Sequence, residues 1–99
     1  MNDWLNLLGL ANKAGKVVTG EESIISKIRK NQVALVIVAK DAANNTKKLY
    51  ANKCDYYHVD YCEIGTINEI SSAIGKVNRV AVGICDHGFA KGLLAKITK

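Results

Sequence analysis

Sulfur and imidazole side chains are the first candidates for chemistry in this sequence. Cys54, His58 and Cys62 are spaced four residues apart, which on one helix would offer three ligands to a zinc ion from a single face. The segment YYHVDY at 56–61 has the composition of a β-strand, however, and on a strand Cys54 and His58 would lie about 13 Å apart. One metal ion cannot span that distance. We therefore expect structural cysteines and a surface histidine here, and no metal site.

Two further patterns could indicate catalysis. Cys85, Asp86 and His87 place a thiol, a carboxylate and an imidazole in a row, but adjacent side chains at a strand end point apart, and a nucleophile and its base are usually brought together by folding. Gly15-Lys16 is not a P-loop, because that motif needs a glycine at position 10 and a hydroxyl residue at position 17. The sequence has Leu10 and Val17 there. We expect neither an enzyme nor a cofactor.

The charge of the chain is distributed unevenly. The 99 residues carry a net charge of +5. Residues 1–53 hold nine basic and four acidic residues, whereas residues 54–99 hold five of each. Such asymmetry favours a surface that binds a polyanion, although lysines that only keep a protein soluble produce the same count.

The segment from Thr19 to Ser26 combines a helix start with charge. Thr19 and Glu22 have the spacing of a capping box, and a helix N-terminus is a ready phosphate site that Lys13 and Lys16 would flank. Glu21 and Glu22 fit two interpretations that the residues leave about even. They stabilise the helix dipole, or they accept hydrogen bonds from a guanine edge while lysines hold the RNA backbone.

Helical and β-type patterns alternate along the whole chain. Gly15 and Gly75 suit helix ends, and Thr66 with Glu69 forms a second capping box. Helices are predicted at 4–14, from Thr19 onward, at 44–53, at 66–74 and at 87–98, and strands at 17–18, 33–39, 56–61 and 79–85. This order predicts an α/β protein, a three-layer α/β/α sandwich with a small mixed four-stranded sheet, formed by a single domain over residues 1–99.

The cysteine pattern and the length of the apolar stretches indicate the cellular compartment. Three cysteines without a CxxC pair do not suggest a disulfide framework, and no apolar stretch reaches the length of a membrane span. Asp3 and Asn6 interrupt the N-terminal apolar run, so no signal peptide is expected. We expect a cytoplasmic protein with no membrane partner.

Several segments together resemble a known family. LANKAGKVVTGEESIISKIRKNQVALVIVAKDAANNTKK, KCDYYHVDY, EISSAIGK and VAVGICDHGFAKGL are similar to the kink-turn RNA-binding family of ribosomal proteins L7Ae and L30e. The resemblance covers about residues 4–98. The combination AGKxxxGEE, AKD, NTKK and KC is specific, whereas each piece alone is weak. The resemblance implies the α/β/α sandwich and a partner RNA that is sharply bent by tandem sheared G·A pairs.

The resemblance also implies two contact regions. The family pattern GxNExxK falls on residues 20–26, where Gly20 is kept, Glu22 replaces Asn, Ser23 replaces Glu and Ser26 replaces Lys, with Lys27 one position later. The second region precedes the last strand, where Val77 would pack against a flipped-out base and Arg79 would contact phosphate. The resulting RNA-binding set contains the following residues: Lys13, Lys16, Gly20, Glu21, Glu22, Ser23, Ser26, Lys27, Lys76, Val77 and Arg79.

These observations lead to two functional hypotheses. The first is a non-enzymatic, monomeric RNA-binding protein that recognises kink-turn-like structured RNA and is associated with the ribosome, with ribosomal RNA as one candidate and DNA not expected. The second is a small α/β adaptor that docks on a ribonucleoprotein through protein contacts, favoured by the acidic Glu21 and Glu22 and by the missing family lysine.

Overall fold

Apolar residues at helical spacing and a terminal glycine define the first helix. The computed structural model describes residues 3–98, and in it α1 spans Asp3–Lys13 and buries Trp4 and Leu8. Gly15 has a φ of 75° and donates its N–H to the carbonyl of Asn12 at 3.0 Å. The N–H of Lys16 also reaches back into the last turn of the helix. This Schellman arrangement ends α1 as predicted from Gly15.

Strands and helices alternate through the rest of residues 3–98. The elements after α1 are β1 (Val17–Thr19), α2 (Glu21–Arg29), β2 (Leu35–Val38), α3 (Asn44–Tyr57), β3 (Asp60–Glu63), α4 (Ile67–Ala73), β4 (Ala81–Ile84) and α5 (His87–Ile97). The predicted element order is confirmed.

The four strands form one mixed sheet in the order β1-β4-β2-β3. β2 and β3 are parallel, whereas β4 is antiparallel to both β1 and β2. Alternate residues of β2 face opposite sides: Leu35 and Ile37 pack under α1, α4 and α5, while Val36 and Val38 pack under α2 and α3. The three-layer α/β/α sandwich with a mixed four-stranded sheet is therefore confirmed.

One of the two predicted capping boxes is wrong. Thr19 is the last residue of β1 and pairs with Val82, so the cap position of α2 falls on Gly20, which has no side chain to accept a bond. The box at Thr66 and Glu69 is confirmed. Thr66 Oγ1 accepts from the Glu69 N–H at 3.1 Å, and Glu69 Oε1 accepts from the Thr66 N–H at 3.0 Å.

The predicted strand at 56–61 begins four residues too early, because β3 spans Asp60–Glu63. Helix α3 continues to Tyr57, because Tyr50 and Cys54 are buried one turn apart and Tyr57 packs against the same core. The helix ends at His58, whose left-handed φ of 60° redirects the chain into β3. Burial on a helix face outweighs the β-propensity of the tyrosines and Val59.

Three helices begin at the same end of the sheet. β1, β2 and β3 finish there and β4 begins there, since Thr19 is opposite Val82, and Val38 is opposite both Ala81 and Glu63. The loop from α4 leads into β4 at this end. We refer to this end of the sheet as the cleft end, because the candidate site lies there.

Candidate nucleic-acid interface

The start of α2 has amides that no side chain caps. Gly20 is the N-cap, with φ 91° and ψ 132°, and its carbonyl accepts the first helical bond, from the Ile24 N–H at 2.9 Å. A residue without a side chain leaves the preceding first-turn amides to solvent or a ligand. Glu21, Glu22 and Ser23 carry these amides and are exposed. The helix dipole adds partial positive charge at this point.

The loop between α4 and β4 is fixed at both ends. Gly75 has a φ of 67° and ends the helix, and the Lys76 N–H donates to the Ser71 carbonyl at 2.9 Å. At the other end, the Arg79 N–H donates to Ser71 Oγ at 2.8 Å. Between these anchors Val77 is 76% exposed, and Asn78 adopts a left-handed φ of 55°. The loop therefore presents an apolar side chain to solvent from a defined backbone.

The two regions predicted separately from the sequence meet in one cleft. It has a volume of roughly 170 Å³. Gly20 and Glu21 contribute one wall, residues 78–81 contribute the opposite wall, and Thr46 and Tyr50 of α3 complete it. Gly20, Glu21 and Arg79 are thus brought together as expected. Lys76 and Val77 belong to the same loop, although neither lines the cleft.

Polar groups of the cleft are arranged mainly as donors. Arg79 Nε is buried and has no hydrogen-bond partner within residues 3–98. Burial, together with the negative charge of Glu21, raises the pKa of Tyr50 to about 12, so its phenol is a neutral donor at physiological pH. The Glu21 carboxylate is an acceptor. The cleft can therefore bind a ligand that offers acceptors to the Arg79 side chain and a donor to the exposed Glu21 carboxylate.

The structure distributes the remaining predicted residues over other surfaces. Glu22, Ser23, Ser26 and Lys27 line a concave surface of roughly 270 Å³ along α2, together with Lys30 and Gln32. Lys13 lies in a groove between α1 and α4.

The prediction that Lys13 and Lys16 flank the start of α2 is wrong. The Lys16 carbonyl accepts a bond from the Cys85 N–H at 2.8 Å, at the opposite end of β1. Gly20 is four extended residues, or about 13 Å, away. Burial raises the pKa of the Cys85 thiol and the positive charge of Lys27 opposes that rise, which indicates that Lys27 also lies near Cys85. Lys16 and Lys27 thus form a basic surface at the far end of α2.

Sequence reasoning missed three contributors to this region. Thr46 and Tyr50 reach the cleft from α3, and Ser71 anchors the loop from α4. Tyr50 stands four residues before Cys54, a spacing that indicates one helix face. No sequence signal distinguishes Ser71 from its neighbour Ser72.

The three free cysteines are buried or half-buried. Burial raises the pKa of Cys54 to about 12 and that of Cys62 to about 11, and the reactive species is the thiolate. Burial also raises the pKa of Cys85, although Lys27 and Lys16 act in the opposite direction. Asp86 caps α5 by accepting from the Phe89 N–H at 2.9 Å. Within residues 3–98 there is no group of three His, Cys, Asp or Glu side chains that could hold a metal ion.

The described helices are also too short or too polar to cross a membrane. This holds for every helix within residues 3–98.

The α/β/α sandwich and its cleft-end loops define the class of the protein. The chain belongs to the ribosomal protein L7Ae/L30e/S12e/Gadd45 family, whose profile matches residues 2–94. The resemblance inferred from the sequence motifs is confirmed.

Individual relatives make the relationship more specific. The chain is similar to the RNA-binding protein YlxQ of Bacillus subtilis (strain 168), with 43% identity over 93 residues, covering 94% of this chain and 93% of that protein. It is 48% identical to the RNA-binding protein YlxQ of Enterococcus faecium over 87 residues, which cover 88% of this chain and 84% of that protein.

Solved structures show the same fold. A protein of unknown function from Bacillus halodurans C superimposes with a TM-score of 0.97 at 39% identity, over 100% of both chains. The 15.5kD RNA binding protein of Giardia lamblia superimposes with a TM-score of 0.78 at 24% identity, over 94% of this chain and 79% of that one. The second likeness bears on the fold alone.

Proposed function

We propose that this chain is a non-enzymatic RNA-binding protein that recognises kink-turn-like structured RNA, ribosomal RNA among the candidates, and acts as a monomer associated with the ribosome. The observation that carries the proposal is the cleft in which Gly20 and Glu21 face Arg79. Membership of the L7Ae/L30e family and the RNA-binding relatives support RNA as the ligand.

In the proposed complex, the start of α2 recognises the sheared G·A pairs. The exposed amides and the Ser23 hydroxyl donate to the RNA backbone, where the helix dipole favours phosphate. Glu21 or Glu22 accepts hydrogen bonds from the amino and imino groups of guanine. Glu22 stands at the position of the family's Asn, and Ser26 stands at the position of its Lys.

The α4–β4 loop holds the flipped-out nucleotide. Val77 is 76% exposed and packs against the base in the proposed complex. Arg79 lines the cleft and contacts phosphate through its guanidinium, whose Nε is buried without a partner within residues 3–98. Lys76 adds a cation beside it. Recognition of this kind reads the shape of the RNA more than its sequence.

Basic residues outside the cleft extend the contact along the RNA backbone. Ser26 and Lys27 follow the start of α2 on its concave outer surface, and Lys13 and Lys16 continue the positive charge toward the opposite end of the sheet. These groups attract phosphates irrespective of base sequence, so their contribution decreases as salt increases.

Titration with two RNAs tests the proposal. One is a kink-turn RNA, and the other has its sheared G·A pairs converted to Watson–Crick pairs, each measured at two salt concentrations. We expect the second RNA to bind about 30-fold more weakly, a difference of about 2 kcal/mol. Equal and equally salt-sensitive binding to both RNAs would reduce the interaction to unspecific phosphate attraction and would overturn kink-turn recognition.

A second candidate function is docking on a ribonucleoprotein through protein contacts. The groove between α1 and α4, of roughly 650 Å³, favours it, because Leu10 lines this groove and is 57% exposed. Co-purification of a protein partner that survives RNase treatment would support this candidate, and loss of every partner after RNase treatment would exclude it.

A further inference from the structure

We propose that Ser71 is a positioning residue for RNA binding, one that holds the α4–β4 loop so that Arg79 enters the cleft and Val77 is exposed beside it. The inference rests on the proposed function for its RNA readout and on the geometry of the free protein for its first test.

Ser71 contacts both ends of the loop. Its carbonyl accepts from the Lys76 N–H at 2.9 Å, and its hydroxyl accepts from the Arg79 N–H at 2.8 Å. The same hydroxyl lies 3.5 Å from the Arg79 carbonyl, to which it donates. Ser71 therefore bonds to both ends of the loop of residues 76–79. At Arg79 it bonds to both the backbone N–H and the backbone carbonyl.

The environment of Ser71 makes these bonds specific. Ser71 is 4% exposed, so its hydroxyl is shielded from water. A buried hydroxyl that loses its partners is unfavourable, so the hydroxyl and the Arg79 backbone hold each other in place. The neighbouring Ser72 is exposed and faces the groove between α1 and α4 instead. The two serines are thus a matched pair that differ in their contact with the loop.

The position of Arg79 explains why this anchor matters. Its Nε is buried without a partner in the described chain, and its side chain lines the cleft opposite Gly20. An arginine in that state returns to solvent when its backbone is released, because water would then satisfy the orphaned donor. The Ser71 hydroxyl holds the Arg79 backbone, from which the side chain extends to the cleft, before any RNA is bound, and such preorganisation strengthens binding.

Hydrogen exchange in the free protein tests the positioning directly. In Ser71→Ala we expect the Arg79 amide to exchange about tenfold faster, because it loses its acceptor. The Lys76 amide should change little, because its acceptor is the backbone carbonyl of residue 71. Ser72→Ala should leave both amides unchanged. An Arg79 amide that exchanges at the wild-type rate in Ser71→Ala would overturn the proposal without reference to RNA.

Affinity for the kink-turn RNA tests the consequence for binding. We expect Ser71→Ala to weaken binding by about fivefold to tenfold, whereas in a background that carries both Val77→Ala and Arg79→Ala the same change should have less than about a twofold effect. An equal loss in both backgrounds would show that Ser71 does not act through these two side chains and would overturn the proposal.

Two further results distinguish a failure of the Ser71 proposal from a failure of the proposed function. If Ser71→Ala lowers stability too far for binding to be measured, Ser71→Cys retains the size and a weaker hydrogen bond and should fall between wild type and alanine in Arg79 amide protection. Failure of the wild-type protein to bind the kink-turn RNA would reject the proposed function. The exchange measurement would still decide whether Ser71 positions Arg79.

Discussion

The Glu21 carboxylate and the Tyr50 phenol line the same cleft, and the charge on Glu21 adds to the effect of burial on the pKa of Tyr50. Tyr50 is 1% exposed and is the largest fully buried side chain within residues 3–98. One edge of the cleft is thus formed by the core that joins α3 to the sheet. Changes at this tyrosine should affect stability as well as binding.

The pH dependence of unfolding at alkaline pH should reveal the raised pKa of Tyr50. The pKa of Tyr50 rises from 10.0 to about 12 on folding, so above pH 10 the unfolded chain binds fewer protons than the folded one. The free energy of unfolding should therefore be unaffected by this group below pH 10 and should fall between pH 10 and 12. Urea unfolding across this range should show a smaller decline for Tyr50→Phe than for wild type. Tyr56→Phe removes a phenol that is 75% exposed, and a change as large as that of Tyr50→Phe would contradict the assignment.

A matched pair of glycines separates backbone strain from function. Gly20 and Gly15 both have positive φ values, and an added Cβ would meet no atom within 4 Å at either position. Gly20→Ala and Gly15→Ala should each lower the free energy of unfolding by about 1–3 kcal/mol through backbone strain alone. RNA affinity should fall for Gly20→Ala, which shifts the first turn of α2, and should stay near wild type for Gly15→Ala, which lies at the other end of β1. Equal losses of affinity in the two variants would show that the loss follows from reduced stability and not from a shift of the first turn of α2.

Lysines away from the cleft should influence affinity without influencing selectivity. We expect Lys16→Ala and Lys27→Ala each to reduce the slope of log K against log salt by about 0.7–0.9, the value for one phosphate contact. The ratio of affinities for the kink-turn RNA and its Watson–Crick control should not change. Lys91→Ala, an exposed site on α5 at the opposite face of the sheet, serves as the control. A slope reduced equally by Lys91→Ala would mean that net charge alone matters.

Contact between Trp4 and Gly65 should limit substitutions beneath α1. A Cβ at Gly65 would lie 2.7 Å from Cζ2 and 2.9 Å from Cη2 of the indole, and the glycine has a φ of 73°. Gly65→Ala should lower the free energy of unfolding by about 2–4 kcal/mol, from strain and overpacking together. Trp4 is the one tryptophan of the chain, so its fluorescence follows both the unfolding transition and the local displacement. In a Trp4→Phe background the steric part should disappear, and an undiminished loss there would assign the whole effect to the backbone.

Local signals in the sequence were sufficient for most of the fold. The Thr66–Glu69 capping box and the ends of α1 and α4 at Gly15 and Gly75 were predicted correctly, because each involves residues a few positions apart. The box at Thr19 failed because β1 takes Thr19 into a pairing with Val82, a partner more than sixty residues away. The strand predicted at 56–61 begins too early for the same kind of reason, since burial against the α2–α3 core extends α3 to Tyr57 and β3 starts at Asp60.

In the candidate site, too, the residues that local motifs identify were predicted, and those that depend on tertiary packing were missed. Gly20 and Arg79 were identified from motif positions, and the structure brings them into one cleft. Tyr50 and Ser71 were missed because their roles depend on how α3 and α4 pack, which no local spacing encodes. Lys16 was placed beside Gly20 because it precedes it in sequence, whereas an extended strand carries the two residues to opposite ends of the sheet.

The strand order has a consequence for the growing polypeptide. β1 is hydrogen-bonded to β4 alone, and β4 separates it from β2. While the chain is being synthesised, Val17–Thr19 therefore has no strand to pair with until Ala81–Ile84 has emerged, and Arg79 arrives just before that strand. An incomplete product carries the basic first half of the protein without the cleft that would make it selective. Under the proposed function, selective RNA recognition would therefore await synthesis of the last strand, and truncated chains would retain only an unselective attraction to polyanions.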